Sequence, residues 1–270
     1  MAASSREGGG GVYEISFQPD EELSEFFTKI WELDNKCSPG QDFGIDLQGY
    51  AGYQSRDFAK DNLFEWFHEE DIFSRPTYAD HSLHSPLPPS LLTLLVTSQV
   101  PLMRVKNPPM RLSSLILLFL VSCLSLLPLF CFSDQDSSSF EHVFVGETKQ
   151  EGMIGLHNWL QYYLQEKAGN IDYQGYKRRC TVLDDEVDRI ICTKFLWRGR
   201  KGKAACSMFL GSSPEFDIAV FSTCFLMGKI GHCDYQIGEY EVEVVVYSFG
   251  SVIGTAYIVP ARMDEDDAKK

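Results

Sequence analysis

The sequence predicts an α+β fold, and three patterns carry that expectation. Tyr240, Val242, Val244 and Val246 recur at every second position, with Glu241 and Glu243 between the first three, the period of a strand. Leu156, Trp159, Leu160, Tyr163 and Leu164 recur at the i, i+3, i+4, i+7, i+8 spacing of a helix with one apolar stripe. Ser213-Pro214-Glu215 is a helix start, with serine as N-cap, proline at the first helical position and an acid beside the positive end, ahead of the apolar run Ile218 to Phe221.

Taken in order, Met1 to Gly11 is small and polar, without the apolar centre of a cleaved secretory signal, so a reducing, cytoplasmic setting with free thiols is expected. Phe140 to Val145 alternates and reads as a strand carrying His142 between Phe140 and Phe144. The helix from Leu156 places His157 in its first turn, and Gly169 is its expected stop. At a helix start the dipole disfavours imidazolium by up to about 1 kcal/mol.

Between Ala79 and Asp134 the text changes character. Leu112 to Ser133 is 22 residues without a charge, long enough to cross a bilayer, with Arg104, Lys106 and Arg111 before it. Eighteen of those 22 are Leu, Ser, Phe or Pro, which pyrimidine-rich codons encode, so a translated intron end is the other origin. A single-pass membrane protein is the alternative localisation.

Composition narrows the partners. The formal charge of −14 at pH 7 opposes nonspecific coating of nucleic acid. Lys177 to Lys203 runs the other way, with nine basic and four acidic residues, and Lys194, Arg198, Arg200, Lys201 and Lys203 form a patch that can hold phosphates. The eight cysteines lack zinc-type spacing.

The stretches around His142 and His157, together with Gly211-Ser212-Ser213-Pro214-Glu215-Phe216, resemble the EndoU family of uridylate-specific endoribonucleases, continuously from about Ser138 to Val259. Trp31-Glu32-Leu33-Asp34, Asp46-Leu47-Gln48-Gly49 and Ser74 to Ala79 resemble the start of its N-terminal lobe. The resemblance implies a mainly helical N-terminal lobe, left incomplete by the insert, and a catalytic lobe of antiparallel strands with packed helices. The boundaries that follow are a flexible start over 1–11, an N-terminal part over 12–80, an insert over 81–137, the catalytic lobe over 138–260 and an acidic tail over 261–270.

It further implies a monomer that cleaves single-stranded, uridine-containing RNA by transesterification to a 2′,3′-cyclic phosphate, stimulated by manganese. By position, His142, His157 and Lys203 match the catalytic residues, and Ser207 and Tyr257 those that bind the base. The residue before that serine is usually glycine and here is Cys206. A neutral imidazole suits a general base, so His157 is assigned the 2′-hydroxyl proton and His142 the leaving 5′-oxygen; sequence leaves an exchange of the two roles open. Lys203 would meet the charge of the transition state. No manganese ligands identify themselves, and Asp184, Asp185, Glu186 and Asp188 read as a solvated turn. The alternative function is a catalytically impaired, RNA-binding or membrane-tethered variant.

Overall fold

The computed structural model describes residues 17–52, 56–75, 78, 138–149, 152–180 and 188–261. The apolar run 112–133 and the acids Asp184, Asp185 and Glu186 lie outside the described residues. Among those described, no helix is long and apolar enough to cross a membrane.

Two antiparallel three-stranded sheets organise the α+β fold, each over its own core. The first contains β8 (Gly231–Ile237), β9 (Tyr240–Phe249) and β10 (Val252–Pro260), with β9 in the centre. Its inner face presents Tyr240, Val242, Val244 and Val246, all buried as the alternation requires. Two helices cover it. Helix α1 (Glu21–Leu33) is capped by Asp20, whose carboxylate accepts from the Leu23 amide, and it buries Leu23, Phe26, Phe27, Ile30 and Trp31 along one stripe. Helix α4 (Pro214–Leu226) starts where the Ser-Pro signal placed it, with the Ser213 hydroxyl accepting from the Phe216 amide at 3.1 Å.

The second sheet is β5 (Ile171–Arg179), β6 (Ile190–Trp197) and β7 (Arg200–Phe209), with β6 central. Against it lie α3 (Trp159–Lys167) and the small β1 (Phe43–Ile45) and β2 (Phe64–Phe67) pair, followed by the short α2 (Glu69–Phe73). Trp159 centres this core, its ring 4.9 Å from that of Phe43. Gly169, with φ +71°, ends α3 as expected, one residue beyond the cap Ala168. The strand expected over Phe140 to Val145 is instead a single π-helical turn, Glu141–Val145, followed by the short hairpin β3 (Glu147–Lys149) and β4 (Gly152–Ile154). Phe140 and Phe144 are also four residues apart, a helical spacing, and their rings stack at 4.9 Å.

The early residues are bonded into the later ones. Asp34 accepts from both the amide and hydroxyl of Ser213, the Cys37 amide donates to Gly211, and the Tyr78 hydroxyl donates to the same Gly211 carbonyl. Gly211 has φ +83°, and a Cβ there would stand 2.3 Å from the Cys37 oxygen, which explains the glycine of that word. On the other core, the buried Glu166 carboxylate accepts the amides of Leu63 and Phe64, at the start of β2, at 2.7 and 3.0 Å, while burial pushes its pKa up to about 7. These ties join the N-terminal elements to both sheet-bearing cores.

Candidate active site

Strand β10 packs against β6, β7 and the π turn, and the candidate site lies along this seam. A π-helical turn that stops after one cycle leaves carbonyls without helical partners. Here the His142 and Val143 oxygens take the amides of Leu156 and His157 at 2.9 and 2.7 Å, so the two histidine segments are hydrogen-bonded directly to each other. The close approach demands glycine at 155: its φ is +68°, and a Cβ would fall 1.8 Å from the His142 oxygen. Leu156 follows at φ +60°, a left-handed conformation that costs a non-glycine residue about 1–3 kcal/mol unless its surroundings enforce it.

His157 does not sit in the first turn of α3. The N-cap is Asn158, whose side chain accepts from the Gln161 amide, so His157 precedes the helix. The dipole argument therefore yields to closer partners. Nδ1 lies 2.9 Å from the Ser207 carbonyl oxygen, which can only accept, so Nδ1 carries the hydrogen. In the neutral ring Nε2 then holds a lone pair, facing the Lys203 ammonium at 3.1 Å. Burial, and after it the Lys203 charge, holds the His157 pKa well below its ordinary value, a shift the Ser207 carbonyl only partly opposes. The Tyr257 ring stacks on the imidazole with centroids 4.7 Å apart and planes 14° from parallel.

His142 is placed differently. Its Nδ1 is 3.5 Å from Glu147 Oε2, and its side chain keeps 22% exposure. Burial lowers its pKa, and the Glu147 carboxylate pulls the other way. Lys203 reaches in from β7 and donates to the Gly155 carbonyl as well as facing His157; burial lowers its pKa too. Of the five-residue basic patch, Lys203 joins the histidines, whereas Lys194 donates to the Arg56 carbonyl and Arg198, in the tight β6–β7 turn, to Asn170. Ser207 contributes through its carbonyl, its side chain belonging to a residue only 3% exposed.

Sequence reading missed Glu147 and the left-handed pair Gly155-Leu156. An acid five positions after His142 is a weak signal, and Gly155 is one glycine among 21. Among the described residues no three His, Cys, Asp or Glu side chains converge on a point, so those residues offer manganese no fitting ligand set.

The seam between the antiparallel sheets thus brings together two imidazoles able to exchange protons and a lysine cation, on an α+β fold. Comparison with known proteins fixes the family. Residues 131–258 match the family model described as Endoribonuclease XendoU. The chain is 35% identical to poly(U)-specific endoribonuclease-A of Xenopus laevis over 93% of its own length and 97% of that protein's. It is 34% identical to uridylate-specific endoribonuclease C of Danio rerio, covering 88% of each. The solved structure of XendoU, described as a splicing independent snoRNA processing endoribonuclease, superposes with a TM-score of 0.66 at 31% identity, over 92% of this chain and 99% of that one. The chain belongs to the XendoU family of endoribonucleases.

Proposed function

We propose that this endoribonuclease cleaves single-stranded RNA on the 3′ side of uridylates through the adjacent 2′-hydroxyl, leaving a 2′,3′-cyclic phosphate. The observation that carries the reading is the His157 ring, pinned through Nδ1 to the Ser207 carbonyl so that Nε2 presents a lone pair. Nε2 takes the 2′-hydroxyl proton, the 2′-oxygen attacks phosphorus, and the P–O5′ bond breaks with a proton delivered by His142. The assignment of acid to His142 is supported by Glu147, which favours its imidazolium, whereas His157 faces the Lys203 ammonium, which disfavours one. Lys203, already beside Nε2, stabilises the extra negative charge of the pentacoordinate transition state. One face of Tyr257 lies on His157, so its other face is the group offered to the uracil, while Ser207 fixes the imidazole through its carbonyl. Uridylate preference is further supported by the relatives' descriptions as poly(U)- or uridylate-specific.

The test is an oligoribonucleotide with a single uridine, run beside the same strand carrying 2′-deoxyuridine or cytidine there. Mass spectrometry should find a cyclic phosphate after uridine, no cut at deoxyuridine and a slower cut at cytidine. Cleavage at the deoxyuridine would exclude attack by the 2′-hydroxyl.

A further inference from the structure

The catalytic reading leaves one buried nucleophile beside the site unexplained. Cys206 is fully buried, and its sulfur lies 2.8 Å from the carbonyl oxygen of Leu156, the residue before His157. Burial raises the pKa of this thiol, which keeps its hydrogen and can donate it. Leu156 holds its left-handed φ of +60° through three constraints: the amide bond to His142, a side chain sealed in the second core, and the contact of its carbonyl with Cys206.

Cys206 and Ser207 are consecutive in β7, and they grip His157 from two sides. The Ser207 carbonyl takes the ring's Nδ1, and the Cys206 thiol takes the carbonyl of the peptide that leads into His157. Lys203, three residues earlier on the same strand, takes the preceding carbonyl, that of Gly155. One strand thus sets the conformation of the loop as well as the orientation of the ring.

We propose that Cys206 is a positioning residue for His157, its thiol holding the Leu156–His157 peptide so that the imidazole stays between Ser207 and Lys203. The proposal rests on the reading of His157 as the general base. With the thiol gone, the left-handed peptide loses one of its three constraints, the ring samples positions farther from the Lys203 charge, and the fraction of molecules with Nε2 correctly aimed falls. A serine hydroxyl keeps a donor at this position, alanine removes it, and valine fills the volume without a donor.

The experiment compares the parent chain with Cys206→Ala, Cys206→Val and Cys206→Ser, following the imidazole of His157 by NMR across pH and measuring kcat and KM on a uridine-containing strand. His232, engaged by Glu243 and Tyr247 on the other sheet, reports whether each variant is folded. In the alanine and valine variants the His157 titration should move up toward the ordinary histidine range near 6.5. Their kcat should fall by about 10-fold with KM nearly unchanged, since small misplacements of a catalytic group cost rate more than binding. Serine should restore the titration and most of kcat. The proposal is overturned if the folded donor-free variants titrate as the parent does, or if serine behaves as they do. Should alanine leave a cavity that unfolds the chain, valine decides. Should the parent cleave no RNA, the titration still judges Cys206 while the catalytic reading fails alone.

Discussion

His157 and His142 lie on segments that hydrogen-bond to each other, yet their rings are held to different degrees. His157 has both nitrogens engaged, at 2.9 and 3.1 Å, and an aromatic face against it. His142 has one longer contact, 3.5 Å to Glu147, and its side chain keeps 22% exposure. The difference matches what the two steps demand. A base acting on a buried hydroxyl must be aimed and neutral before the substrate arrives, whereas an acid must hold its proton and then follow a departing oxygen.

The largest expected effect separates the two roles. His157→Ala and His142→Ala should each lower kcat on RNA by about 10² to 10⁴, the usual contribution of a positioned acid or base. A uridine 3′-phosphodiester whose leaving group is 4-nitrophenolate needs no protonation, so His142→Ala should recover most of its rate on that substrate while His157→Ala should not. Rates of the two variants on both substrates give the answer, and the opposite pattern would exchange the assignments.

A smaller effect should come from the carboxylate behind His142. Glu147 raises the His142 pKa against the lowering by burial, so removing its charge lowers that pKa further. The acid must be protonated to work; activity is therefore lost as pH rises through this pKa, and in Glu147→Gln the loss begins at lower pH. The acid limb, set by His157, should move less, because burial and the Lys203 charge are the largest causes of its lowered pKa. The pH profile of kcat/KM in the two proteins checks both statements. We expect a drop in kcat/KM near neutrality of about 10-fold or less, in line with one unit of pKa being about 1.4 kcal/mol.

What could be read in advance divides along the same line. Short-range chemistry was legible: the Ser213 cap, Pro214 after it, Gly169 beyond α3 and the alternation through β9 all stand as the sequence reading has them. The π turn was not, because Phe140, His142 and Phe144 fit a period of two and the ends of that stretch fit a period of four equally well over so few residues. The placement of His157 was off by the one residue that mattered, since Asn158 is the better cap and moved the helix start past the histidine. Partners far apart in sequence were invisible: Ser207 is 50 residues from the ring its carbonyl fixes, and Glu166 is 103 from the Leu63 amide it accepts. No local pattern encodes such pairs. Lys203 and Tyr257 were reached only through resemblance, because a lysine in a basic stretch and a tyrosine in an apolar strand look ordinary alone.

The smallest expected effect concerns Tyr257 and sharpens what the extra support of His157 is for. An aromatic stack contributes about 0.5–1.5 kcal/mol beyond burial, so Tyr257→Leu, which keeps the volume of an apolar side chain in β10, should cost about 2- to 10-fold in rate. Which kinetic constant carries that loss is the informative part. If the ring serves chiefly to steady the imidazole, kcat falls while KM and the preference for uridine over cytidine hold. If its outer face receives the base, KM rises and the preference narrows, because stacking binds ground and transition states alike. The 14° angle and 4.7 Å separation put one full face of Tyr257 on His157, so the kcat effect is the one we expect to dominate, with a lesser rise in KM from the face that remains.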